Sequence, residues 1–183
     1  MRSYGCLDAV NLEEELAEHD RRYFPTRLAR FRFTMKTAGS QAPFALPGFS
    51  IGYFYDAEVC LINGAFAACI VMCQLVCEEM LKSPYRFKGD VRIVESKFVR
   101  LIDQAQKDGL IASRTARQLN WLRKTRNLIS HSKDFSRLES KDWGRVMIMD
   151  GYTLDDKRLE RKAKRSFQIA SDLLKRGAWL GRG

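Results

Sequence analysis

The chain is short of histidine and of acid. Only two histidines, His19 and His131, occur among 183 residues, and 22 Asp and Glu stand against 32 Lys and Arg, for a net charge of +10. The first shortage confines imidazole chemistry to two places. His19 sits among charges in EEELAEHDRRY and reads as exposed, which leaves His131. The second shortage makes a surface that attracts polyanions and releases their counterions, so RNA, DNA and acidic lipid are favoured partners. A basic face that meets only solvent is the alternative. Internal repeats and low-complexity tracts are lacking, and 45% hydrophobic residues suffice for a core, which excludes a disordered chain or a solenoid. A mass of 21.1 kDa fits one domain.

No secretory leader is expected either, since MRSYGCLDAVNLEEEL has early acids and no apolar run. The five cysteines, Cys6, Cys60, Cys69, Cys73 and Cys77, are therefore expected to be reduced thiols of a cytoplasmic protein. Cys69, Cys73 and Cys77 recur every fourth residue and line one helical face. A metal there would need ligands from elsewhere, and the expected role is to fill a close helix contact. No metal and no other cofactor is expected.

What is present is mostly helical. NLEEELAEHDRRY suggests a first helix over 11–23, with Asn11 as its cap and Pro25 ending it. RFRFTMKT alternates, which puts Phe31, Phe33 and Met35 on one side of a strand, and FSIGYFYD reads as a second strand after a loop with two prolines. Residues 1–56 are thus expected to form a helix plus a small β-hairpin, ahead of a helical bundle over 57–183.

The strongest element is AEVCLINGAFAACIVMCQLVCEEMLK, residues 57–82, read as one helix closed by Ser83-Pro84. Its length would span a membrane. It is rich in Ala and Cys, is bracketed by Glu58 and Glu78, and has no second hydrophobic segment to partner it in lipid. A central helix buried on all sides is the better reading, with no membrane association. Residues 91–108 form an amphipathic helix through Val91, Val94, Phe98, Leu101, Ile102 and Ala105, stopped at Gly109. Next comes the helix of LIASRTARQLNWLRKTRNLISHS, with Ser113 as cap and Ala116, Leu119, Leu122, Arg126 and Ile129 down one side. Residues 134–154 are irregular, with a strand suggested at RVMIMD. A last helix from Asp155 and Asp156 buries Leu159, Ala163, Phe167, Ala170 and Leu174. Its other side carries Lys157, Arg158, Arg161, Lys162, Lys164 and Arg165, a face able to follow a phosphate backbone, although such faces are often only solvated.

Arg126 breaks the apolar stripe of its helix, and His131 follows five positions later. A guanidinium offers a planar fork of donors to a phosphate, and an imidazole exchanges protons near neutrality. Together they suit metal-free RNA cleavage by the neighbouring 2′-OH, leaving a 2′,3′-cyclic phosphate. On an ideal helix, five residues leave two side chains about 140° apart. Convergence therefore requires a bend near Ser130 or a second subunit. The bland alternative is an arginine that staples its helix to Glu78 or Glu79, beside a helix-terminal histidine favoured by the dipole.

The run R-N-x-x-x-H at Arg126–His131, late in a helix of a small bundle, resembles the HEPN superfamily. The Ala-rich AFAACIVMCQLVCEEMLK is similar to the opening helix of such bundles, and the helix order over about 57–176 agrees. The resemblance implies a mainly α, up-and-down bundle of four to five helices and a metal-independent endoribonuclease, a hydrolase. It also implies a homodimer and a role as toxin or phage-defence effector, with an antitoxin or other protein partner. Carried over, Arg126 contacts the scissile phosphate, His131 is the general acid/base, and Asn127 orients Arg126 or the substrate. Glu78 or Glu79 and Ser130 are supporting residues. Arg123, Lys124, Lys133, Arg158, Arg161 and Arg165 are the expected RNA-binding cations. The chain departs from relatives silenced by nucleotidylation, which have a tyrosine where Lys133 stands. A non-catalytic RNA- or nucleotide-binding or dimerisation module is the alternative within the same resemblance.

Overall fold

A computed structural model describes residues 12–39, 48–130 and 156–177. Among these residues there are seven helices and no strand: α1 (Leu12–Ala38), α2 (Gly48–Ile62), α3 (Phe66–Phe87), α4 (Val91–Val94), α5 (Phe98–Lys107), α6 (Ser113–Ser130) and α7 (Asp156–Gly177). The chain is a mainly α bundle around α3, which packs against α2, α4, α5, α6 and α7. No described helix is long and apolar enough to cross a membrane. Asn11, Cys6 and the suggested strand at RVMIMD lie outside the described residues.

The expected β-hairpin is replaced by two helices. Along α1 the positions that face the bundle are Arg30, Phe33, Thr34 and Thr37, which is helical spacing. Thr34 and Thr37 are buried while Phe31 and Met35 are exposed, so the alternation of aromatic residues misled. Nor does Pro25 end α1, which runs through it. Proline lacks the N–H that would bond the Arg21 carbonyl, but the helix is exposed there and water can take that carbonyl. Along α2, Ser50, Tyr53, Phe54, Ala57 and Leu61 turn inward at the same helical spacing.

The single helix expected over 57–82 is broken between α2 and α3. Gly64 adopts φ +83°, and the Ala65 and Gly64 amides donate to the Cys60 and Leu61 carbonyls at 2.8 and 3.3 Å. This is a Schellman stop, which uses the left-handed freedom of glycine. α3 then runs one turn past Ser83-Pro84 to Phe87. Tyr85, buried, holds that turn by donating to Asp108 Oδ2 at 2.7 Å. Burial pushes the Tyr85 phenol pKa up, and the Asp108 bond adds to this.

The expected 91–108 helix is also two pieces. Asp90 caps α4 by accepting from the Ile93 amide at 3.2 Å, and Ser96 Oγ donates to the Ile93 carbonyl at 2.7 Å in the break before α5. Val91 is exposed, whereas Phe98, Leu101, Ile102 and Ala105 are buried as expected. Gly109 stops α5 by the same pair of bonds as Gly64, with Leu110 N–H on the Ala105 carbonyl at 2.9 Å. Cys69, Cys73 and Cys77 are fully buried, with the sulfurs of Cys69 and Cys73 at 3.9 Å. Burial pushes the Cys73 and Cys77 thiols up, so they stay protonated and act as packing groups.

α7 buries Leu159, Ala163, Phe167, Ala170 and Leu174 as its sequence predicts, and Phe167 stacks on Phe54 of α2 at 4.8 Å. One polar staple joins α1, α7 and the α2–α3 turn. Arg30 Nε and Nη2 donate to Glu160 at 3.3 and 3.4 Å, Nη1 donates to the Ile62 carbonyl at 3.4 Å, and the guanidinium lies over Phe66 at 4.7 Å. A Cβ on Gly64 would come within 3.1 Å of Arg30 Nη1, so the turn is fitted to this arginine.

Burial alone would raise the Glu160 pKa, but bonds from Lys164, at 2.8 Å, and Arg30 outweigh it and hold the carboxyl below its ordinary value. A depressed folded-state pKa stabilises the fold above the unfolded value, about 4.3 for glutamate, and that stability is lost as pH falls. Melting temperatures between neutral and acid pH should therefore drop more steeply for the wild type than for Glu160→Gln. Parallel curves would remove this staple from the stability of the bundle.

Candidate nucleic-acid site at the α6 and α7 ends

The buried face of α6 descends through Thr115, Ala116, Leu119, Leu122 and Thr125. Thr125 takes the inward place beside Arg126 and donates to the Trp121 carbonyl at 2.9 Å. Arg126 is left at the edge of that face, half-buried. Its Nη1 donates to Asn127 Oδ1, its chain neighbour, at 3.4 Å. Among the described residues no carboxylate pairs with Arg126.

The acids expected to serve it are used elsewhere. Glu78 receives Lys82 at 2.7 Å, and Glu79 receives Arg86 at 2.6 Å and Lys82 at 3.7 Å, all along α3. The helix-to-helix staple through Glu78 or Glu79 is thus not formed. Lys82 lies at i+3 and i+4 and Arg86 at i+7 on the same helix, so α3 itself supplies these partners.

Two contacts fix how α7 lies on α6. Arg176 Nη1 donates to Thr115 Oγ1 at 3.1 Å, and Arg165 stacks on the Trp121 ring with its guanidinium carbon 4.1 Å from the centroid. The later residue of α7 meets the earlier residue of α6, so the helices run antiparallel. The first turns of α7 therefore lie toward the end of α6 that carries Arg126 and Asn127. Lys157 and Arg161 are exposed on those turns and Arg158 is half-buried. On α6, Lys124 is exposed, and half-buried Arg123 donates to Asn120 Oδ1 at 3.3 Å.

The ends of α6 and α7 thus carry cations from two helices, one of which, Arg165, lies over a half-exposed indole. Phosphates can follow the guanidinium and ammonium groups, and the Trp121–Arg165 stack offers a flat edge to a base. His131 and Lys133 lie outside the described residues, as does the side chain of Ser130. Among the described residues no group of His, Cys, Asp or Glu is arranged to hold a metal. Sequence analysis did not reveal that Arg165 lies over Trp121. Nothing in either helix's own periodicity pairs them.

Residues 55–165 match the model of a family described as a domain of unknown function, DUF4145. Neither the curated proteins nor the solved structures yield a match.

Proposed function

This chain belongs to the DUF4145 family, and we propose that it is a metal-independent endoribonuclease that cuts RNA through the adjacent 2′-OH, as its resemblance to the HEPN superfamily implies. Arg126 is the observation that carries the reading. A half-buried guanidinium that meets no carboxylate among the described residues keeps its positive field for an incoming anion, on a protein whose net charge is already +10. In the proposed step the 2′-oxygen attacks phosphorus, the 5′-oxygen leaves and takes a proton, and the 2′-OH proton is lost. His131 serves as general acid/base, Arg126 stabilises charge on the phosphoryl oxygens, and Asn127 orients Arg126. Arg123, Lys124, Lys133, Arg158, Arg161 and Arg165 hold the RNA backbone. A toxin or phage-defence role, restrained by a partner protein, belongs to the same proposal.

A second reading is favoured by the cationic band on α6 and α7, which needs no histidine: an RNA-binding module that does not cut. Purified protein incubated with mixed RNA in EDTA separates the two. The nuclease yields 2′,3′-cyclic phosphate ends, and His131→Ala abolishes them while RNA binding persists. Equal degradation by wild type and variant marks a contaminant and leaves the binding module.

A further inference from the structure

We propose that α1 pairs antiparallel with α1 of a second copy of this chain, burying Leu16, Tyr23, Phe24 and Phe31. This inference does not rest on the nuclease reading. Among the described residues, α1 touches α2 and α7 through its second half, where Arg30 bonds Glu160 and the Ile62 carbonyl, the Thr37 carbonyl accepts from Ser171, and Thr34 is buried. Residues 13–26 are exposed without exception. A helix of that length with no packed face is marginal in water, so its stability calls for a partner.

The exposed side chains are not polar throughout. Leu16 is 62% exposed, Tyr23 45%, Phe24 60%, Phe31 45% and Met35 49%. At about 100° per residue these five fall within a sector of about 120°, one continuous stripe along the helix. The stripe runs past the bundle into solvent. α1 also precedes the part of the chain that matches the family, residues 55–165.

Charge selects the occupant and its direction. Asp20 and Arg27 lie in the middle of the same stripe, seven positions apart, and touch each other at 3.4 Å with side chains 58% and 42% exposed. A parallel pair of α1 helices would set Asp20 against Asp20 and Arg27 against Arg27. An antiparallel pair sets Asp20 against the partner's Arg27, in the one register that also sets Leu16 against the partner's Phe31 and Tyr23 against the partner's Phe24. The residue numbers of each facing pair add to the same total, as a two-fold axis between Tyr23 and Phe24 requires. The halves of α1 also differ in charge: Glu13, Glu14, Glu15, Glu18 and Asp20 outnumber Arg21 and Arg22 in the first, while Arg27, Arg30, Arg32 and Lys36 stand without an acid in the second. As a lone exposed pair Asp20 and Arg27 contribute little, but between two helices they form a four-charge cluster that fixes register.

Sedimentation velocity of the full chain tests this. The wild type should sediment at twice the 21.1 kDa chain mass. Leu16→Glu and Phe31→Glu should each weaken the dimer by about a hundredfold or more, because each buries an unpaired charge, with the melting temperature of the bundle retained. Asp20→Arg and Arg27→Asp should each be monomeric alone. Mixed in equal amounts they should restore a two-chain species, although neither chain can form its own Asp20–Arg27 pair. A monomeric wild type at a concentration on the order of 100 μM overturns the proposal. So does a dimer indifferent to Leu16→Glu and Phe31→Glu, or a mixture that stays monomeric.

Discussion

Arg126→Ala is expected to lower RNA cleavage by a factor on the order of 10²–10³, the usual cost of losing one preorganised donor to transition-state charge. The same substitution should change folding stability by less than about 1 kcal/mol, the range for residues outside the core mechanisms. The two expectations belong together. Were Arg126 a staple to Glu78 or Glu79, its removal would strand a half-buried carboxylate and cost about 3–5 kcal/mol. Those carboxylates already hold Lys82 and Arg86, so no orphan is created. Arg126→Lys should fall between, because it keeps the charge and loses the two-pronged geometry. Cleavage rates in EDTA set beside denaturation midpoints decide the matter. Unchanged cleavage with lost stability would make Arg126 structural.

The largest expected effect on stability is at Phe167. Its side chain is fully buried and stacked on Phe54 at 4.8 Å with 22° between the rings. Phe167→Ala removes the stack and leaves a cavity where α7 crosses α2 and α3, a loss of about 3–5 kcal/mol. That is a large share of the roughly 5–15 kcal/mol that holds a typical domain. Urea denaturation should show the midpoint fall while the slope stays constant. The same change should weaken RNA binding, since Arg158, Arg161 and Arg165 are placed by the seating of α7. A loss below about 1 kcal/mol would mean that the site collapses around the gap.

The parts of the fold legible in the sequence were those where large apolar residues sit at helical spacing. α7 buried its predicted stripe residue for residue, and Gly109 stopped α5 where expected. α1 and α2 were misread because Thr34, Thr37 and Ser50 take inward positions that a hydrophobic pattern leaves blank. Exposed Phe31 and Met35 then supplied a false period of two. The α2–α3 break was visible in Asn63-Gly64, but the apolar residues on both sides hid it. For the site, the half-buried setting of Arg126 followed from its place in the α6 stripe. That neither Glu78 nor Glu79 pairs with it did not, because the competing pairs of these acids are local to α3. The Arg165–Trp121 stack and the Arg30–Glu160 staple join residues far apart in the chain, and neither helix's own spacing announces them.

The buried thiols of α3 have a chemical consequence. Electrophiles and oxidants act on thiolates they can reach; Cys69, Cys73 and Cys77 are sealed inside, and burial holds Cys73 and Cys77 protonated. Half-buried Cys60, on α2, is the described thiol a reagent meets first. Damage to the central helix is thereby coupled to opening of the bundle: alkylation of its sulfurs becomes a clock for how often the protein comes apart.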